Sequence, residues 1–319
     1  MNKFLGCLLF LSISTVFAPE ALALSDASKA TILVVDEEGA PIEGAIVGMG
    51  FEKNTGWGTD ATGKRGVTGV DGRFVAEGNC NGHITYGADK EGYYNSHYEY
   101  DFKDKGPLGW KPWNPELKVI LRKIQNPVPM YARKVKIDLP VLGEEVGYDL
   151  IAYDFTPPYG RGTQADLVFK ADKKVENKKK YDSNLVISFS NKYDGIKLIK
   201  EDLQYGSELK LPRIAPFEGY FAKWSLSKSR YPNEGVKVNF AQDDNYVFRV
   251  RSEEKDGKFE RAMYGKILGP ISFGNITRRD TATIAFKYYL NPDYTRNLEF
   301  DPERNLFGPL PPLEQVGIQ

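Results

Sequence analysis

Between Gly39 and Tyr93 the chain is broken by turn chemistry at intervals too short for helices. Thr31-Ile32-Leu33-Val34-Val35 is a β-branched run that ends in the turn cluster Asp36-Glu37-Glu38-Gly39. Pro41 fixes φ, and Gly44 permits a bend before the next apolar run, Ala45 to Phe51. Asp71-Gly72 suits a tight hairpin between Val67-Thr68 and Phe74-Val75-Ala76. His83 to Tyr86, Tyr98 to Phe102 and Leu117 to Leu121 supply further short alternating segments. Short strands separated by turns at this spacing predict a small antiparallel β-sandwich.

The segments Gly39-Ala40-Pro41-Ile42-Glu43-Gly44-Ala45-Ile46-Val47, Thr68-Gly69-Val70-Asp71-Gly72-Arg73-Phe74 and Gly92-Tyr93 carry a family likeness. On these residues the first module resembles the carboxypeptidase regulatory-like domain, a transthyretin-like β-sandwich. Two features depart from that pattern. The family often places an acid directly after the threonine, where this chain has Gly69. A partial second copy, Thr59-Asp60-Ala61-Thr62-Gly63-Lys64, precedes the motif and reads as a longer hairpin or an insertion. The resemblance implies a non-catalytic accessory domain, a statement about fold more than function. The whole chain also resembles uncharacterised secreted bacterial proteins, which implies no activity.

Gln125-Asn126-Pro127-Val128-Pro129-Met130 has two prolines in three residues and reads as a stiff linker. Beyond it, period-two alternation recurs at Lys134–Leu139, Tyr148–Phe155, Asp166–Ala171 and Asn184–Phe189, and further strands are expected at Val236–Phe240, Tyr246–Arg251, Phe259–Leu268 and Thr281–Leu290. No long amphipathic helical pattern appears, and 19 Tyr, 18 Phe and 4 Trp favour strands. The fold class expected is all-β: a transthyretin-like β-sandwich, then a larger antiparallel β-sandwich or jelly-roll. The expected divisions are a signal peptide at 1–23, a regulatory-like module at 29–124 and a Pro-rich linker at 125–132. A second domain at 133–290 and an irregular C-terminal tail at 291–319 complete them, with Leu298, Phe300, Leu306 and Phe307 able to fasten the tail.

Residues 1–23 read as a secretory leader: Lys3, the apolar stretch Phe4–Phe17, and a small-x-small site at Ala21-Leu22-Ala23. The apolar run is short for a spanning helix, and no later segment is apolar enough to cross a bilayer. An extracytoplasmic (secreted or periplasmic) location follows as an expectation. Removal of the leader takes Lys3 and Glu20 together, so lysine plus arginine falls from 43 to 42 and aspartate plus glutamate does likewise. A neutral chain argues against a nucleic-acid partner. Cys7 leaves with the leader, so the mature chain holds one thiol, Cys80, most simply a small buried hydrophobe.

His83 and His97 are the only histidines. Neither has an acid at zinc-hydrolase spacing, and no nucleophile-elbow motif accompanies them, so no metal, no cofactor and no catalytic residue is assigned. Glu144-Glu145, Asp243-Asp244 and Glu253-Glu254 keep open a polysaccharide-active enzyme of the second domain. Asp243-Asp244-Asn245 lacks the alternating oxygens of a calcium loop. Lys173-Lys174 and Lys178-Lys179-Lys180 read as a solvated hairpin tip, and Asn275-Ile276-Thr277 is a glycosylation sequon in secretory pathways that use it. The candidate ligand-binding residues are aromatic: Trp57, Trp110, Trp113, Tyr93 and Tyr94. Rings on stiff loops stack on sugars or anchor partners; the competing reading has them plug the ends of the sandwich. The functional expectation is a non-catalytic binding protein whose partner is a surface glycan or an envelope protein. The alternatives are the enzyme above and a purely structural envelope component.

Overall fold

A computed structural model describes residues 24–55, 58–274 and 281–317. The leader-like segment with Cys7, Trp57 and the sequon Asn275-Ile276-Thr277 lie outside the described residues. The first module contains β1 (Ala27–Val35), β2 (Ile46–Asn54), β3 (Thr59–Val67), β4 (Arg73–Asn79), β5 (His83–Asp89), β6 (Tyr93–Tyr94), β7 (Ser96–Asp101), β8 (Asp104–Gly106), β9 (Gly109–Lys111), β10 (Glu116–Ile120) and β11 (Arg122–Lys123). Next come β12 (Val128–Asp138), β13 (Val146–Asp149), β14 (Asp154–Phe155), β15 (Leu167–Asn177), β16 (Lys180–Ser188), β17 (Gly195–Lys200) and β18 (Gly206–Ser207). The last are β19 (Lys223–Arg230), β20 (Val236–Val238), β21 (Asp244–Lys255), β22 (Lys258–Ile267), β23 (Ser272–Gly274), β24 (Thr283–Asn291) and β25 (Phe300–Asn305). No helix occurs among the described residues, and the chain is an all-β sandwich protein.

In the first module, sheet β10-β1-β4 faces sheet β18-β7-β5-β2-β3. β1 runs parallel to β10 and antiparallel to β4. Val47, Met49 and Phe51 alternate inward from β2 to meet Ile32, Val34 and Val119, all at most 2% exposed. Each side chain of this size taken out of water stabilises the fold by roughly 2 kcal/mol. The Asp71-Gly72 turn is present but is not a hairpin. β3 belongs to one sheet and β4 pairs with β1 in the other, so the turn carries the chain across the sandwich. Gly72 sits at φ +71°, where a Cβ would lie 2.5 Å from the Val34 carbonyl oxygen. Thr59–Lys64, read as a longer hairpin or an insertion, lies within strand β3, which pairs antiparallel with β2.

In the second module, sheet β14-β13-β15-β16-β19-β20 packs on the sheet ordered β17-β21-β22-β24-β12-β25, where β23 also joins β24. Phe169, Leu185, Tyr246, Phe248 and Tyr288 fill the space between them. The second sheet is buried on its other face too. There Met130, Val247, Tyr264 and Tyr289 meet Leu211 and Ala215 from the loop after β18 and Leu298 and Phe300 from the C-terminal segment. This explains why β24 is apolar almost throughout instead of alternating.

The stretches read as linker and tail are both structured. Val128 to Ala132 already belong to β12, and β25 pairs parallel with β12. The Glu299 carboxylate is buried between the modules. Its Oε1 accepts from Tyr94 Oη at 3.0 Å and from the Gln125 N–H at 2.9 Å, and its Oε2 accepts from the Asn126 N–H at 2.9 Å. Arg213 Nη1 lies 2.8 Å from Oε1, and Arg213 and Arg122 both donate to Glu37 of the first module. β18 extends the first module's sheet by pairing with β7. Burial alone would raise the Glu299 pKa; the Asn126 and Gln125 amides and then Arg213 reverse this and hold it below the usual glutamate range.

Glu299→Ala should therefore lower unfolding free energy by about 3 kcal/mol, because Arg213 and two amides lose a buried partner. A depressed carboxyl pKa gives stability that is complete above the unfolded value, about 4.3, and lost as pH falls through the folded one. Urea unfolding at about pH 7 and about pH 3 should show wild type and Glu299→Gln far apart at the first and closer at the second. An equal gap at both would contradict the assignment.

Candidate binding surface

The outer face of the sheet β18-β7-β5-β2-β3 is floored by backbone. Since Val47, Met49 and Phe51 point inward, Gly48 and Gly50 are left on the outside. Register places Gly63, Gly50, Thr85 and Glu99 in one cross-strand row. The next row is Arg65, Gly48, Gly87, His97 and Gly206. Without side chains at the middle positions the surface sinks into an open trough of about 800 Å³. A Cβ on Gly48 would meet nothing within 4 Å, so the glycine leaves free space and is not required by packing.

Polar groups wall the trough. Arg65 lies 3.5 Å from Asp89 at one side. At the other, the Tyr205 hydroxyl donates to Glu99, and the His97 ring stands edge-on to Tyr205 at 6.4 Å. The Glu99 carboxylate holds the Tyr205 proton and keeps that phenol above its ordinary pKa. His83 Nδ1 is 2.8 Å from Asp101 and its Nε2 is 3.9 Å from Glu99. Among the described residues no group of three or more His, Cys, Asp or Glu is gathered as a metal would require. The arrangement offers hydrogen-bond donors and acceptors of both signs along an open channel.

The described aromatic candidates, Trp110, Trp113, Tyr93 and Tyr94, stand elsewhere and do not converge. Trp110 packs over Gly82 and donates from Nε1 to the Cys80 carbonyl at 3.0 Å, so it closes one end of the sandwich. Trp113 is 51% exposed and lies against Gly109, beside the Ala27 end of β1. Tyr94 is buried and committed to Glu299 near the opposite end, where Leu121 bonds to Val35. Tyr93 is half-buried next to it. The length of β1 separates the two groups by roughly 25 Å. Cys80 is a buried free thiol whose Sγ accepts the Gly82 N–H.

Five of the six second-domain carboxylates have partners. Lys200 binds Asp243 and Asp244, Arg261 binds Glu253, Lys192 lies 3.7 Å from Glu254, and Tyr159 donates to Glu144 at 3.4 Å. A buried cluster of Asp149, Asp166 and Arg251 was not singled out in the sequence. Asp149 accepts five backbone or side-chain bonds from residues 151–164, and Arg251 joins it to Asp166, so the cluster pins the β13–β15 loop to β21. The trough also escaped notice, although Val47-Gly48-Met49-Gly50-Phe51 signals it: large apolar residues alternate with glycine where a solvated strand normally carries polar side chains.

No protein-family model matches the chain, and no curated protein matches it. Among solved structures, a variant of the shaft pilin SpaA from Lactobacillus rhamnosus GG is similar at TM-score 0.23 and 11% identity, over 75% of this chain and 92% of that one. A protein from Bacteroides uniformis, designated a candidate carbohydrate-binding protein, is similar at TM-score 0.19 and 11% identity, over 82% of this chain and 99% of that one. Neither likeness is close enough to bear on function.

The placement of the two indoles predicts opposite behaviours. Trp110→Ala should cost about 2 kcal/mol, from lost packing and an unsatisfied Cys80 carbonyl. Trp113→Ala should leave thermal unfolding within about 0.5 kcal/mol of wild type. Equal losses in both would place Trp113 in the packed end as well.

Proposed function

We propose that this is a non-catalytic binding protein working outside the cytoplasm, and that the glycine-floored trough of its first module holds an extended glycan. The leader-like residues 1–23 support the location, and no helix among the described residues is long and apolar enough to cross a membrane. In this reading the first module keeps the accessory role implied by its resemblance to carboxypeptidase regulatory-like domains. Its seven main strands form one sheet of three and one of four, with β18 added from the second module.

The observation that carries the reading is the double row of outward glycines. A bare backbone floor admits a chain of sugar rings lying flat, while Thr85, His97, Glu99 and Arg65 stand where hydroxyls need donors and acceptors. Among the described residues no indole floors the trough, so recognition rests mainly on hydrogen bonding and the complex is expected to be weak, with Kd on the order of 10–100 μM. An envelope-protein partner is favoured by a separate feature: Ile214, Phe217 and Phe221 are all about half-exposed within one loop.

A broad array of neutral and acidic glycans tests the proposal. Wild type should retain a polysaccharide class, and Gly48→Leu, whose Cβ meets nothing within 4 Å, should weaken that binding at least tenfold by calorimetry. Trp113→Ala should bind as wild type does. Retention of no glycan, or undiminished binding by both Gly48→Leu and Gly63→Leu, would reject the trough as a glycan site.

A further inference from the structure

The sheet that carries the trough has one covered edge and one open edge. β18 covers β7, whereas among the described residues β3 pairs only with β2. β3 is nine residues long, contains no proline, and is exposed from Thr59 to Arg65. Its hydrogen-bonding phase is fixed at both ends of the β2–β3 hairpin. The Thr55 N–H donates to the Gly58 carbonyl at one end, and the Thr68 N–H donates to the Ala45 carbonyl at the other. Because antiparallel pairs alternate between bonded and non-bonded, Asp60, Thr62, Lys64 and Gly66 face β2. Thr59, Ala61, Gly63, Arg65 and Val67 therefore turn their N–H and C=O groups to the open edge. The Asn81 N–H bonds to the Glu52 carbonyl, as this phase requires, because Glu52 then points away from β3.

The same strand is complementary to itself. In an antiparallel pairing centred on Thr62, Thr59 meets Arg65 of a second strand and Ala61 meets Gly63, all from the set with free backbone groups. Asp60 then stands directly opposite Lys64, twice, in the non-bonded positions where side chains approach most closely. Among the described residues neither Asp60 nor Lys64 forms an ion pair within its own chain. We propose that β3 is a self-association edge: two copies of this chain pair antiparallel through β3 about a twofold axis at Thr62, and the two sheets become one. The outward small residues Gly63 and Ala61 meet across the axis, so the bare floor of one trough runs toward its counterpart. Symmetry explains why opposite charges sit four residues apart on an otherwise unguarded edge, where lysines alone would normally discourage pairing. One strand pair buries less surface than a standard interface, so association is expected in the micromolar range. The inference is independent of what the trough binds and is tested without any glycan.

Sedimentation velocity on the full chain at about 100 μM provides the test. Wild type should sediment as a dimer. Ala61→Pro deletes an N–H that faces the open edge and no bond to β2, so it should be monomeric. Asp60→Lys opposes like charges twice and should weaken the dimer about tenfold. The reciprocal double variant Asp60→Lys/Lys64→Asp restores both pairs and should return the dissociation constant to within about threefold of wild type. A monomeric wild type overturns the proposal. So does a dimer that survives both Ala61→Pro and Asp60→Lys, or a double variant no tighter than Asp60→Lys alone.

Discussion

The buried carboxylate of Glu299 is the contact on which the rest of the molecule hangs. One side chain from the C-terminal segment accepts from Tyr94 of the first module and from the backbone of Gln125 and Asn126, and it faces Arg213 from the second. A buried carboxylate is tolerable only when its lone pairs are filled, and here four groups fill them. Removing one of them leaves a carboxylate lone pair short of a partner. The junction is thus a satisfied polar network, with Leu298 and Phe300 packed beside it, and not two domains on a proline tether. Arg122 adds to it by donating to Glu37 and to the carbonyls of Leu209 and Leu211.

That junction also borders the proposed binding face. Docking the second module brings Tyr205 and Gly206 to the edge of β7, next to Glu99 and His97. The lining of the trough itself, from Gly48 to Glu99, belongs to the first module. The Lys266 side chain, fully buried beneath the same layer and over the Tyr289 ring, shows how closed this region is: burial, aided by the nearby Arg122 charge, pushes its pKa down to about 7.

Much of the architecture was legible because its signals are local. Asn184–Phe189 alternates, and β16 follows that alternation with Leu185 and Ile187 inward. The turn at Asp71-Gly72 was legible as a turn, but its destination was not. Turn chemistry fixes the bend, whereas the choice of sheet depends on β1 reaching β4 from far along the chain. Tyr148–Phe155 read as one strand, yet Asp149 captures the amides of Ile151 and Ala152 and folds the middle into a turn. The segment around Tyr205–Leu211 gave no pattern because its strand partner lies in the other module. Glu299 looked like an ordinary polar residue in a tail; only the assembled junction shows what it meets. The aromatic candidates were visible as residue types, but nothing in their spacing revealed that Tyr94 turns inward while Trp113 stays out.

If the Glu299 network joins the modules into one structural unit, the intact chain unfolds as one. Differential scanning calorimetry of the wild-type protein at neutral pH measures this directly. A single cooperative transition, with calorimetric and van't Hoff enthalpies in agreement, is the predicted result. Two separated transitions, one for each sandwich, would show that the modules are coupled too weakly for Glu299 to have the role described.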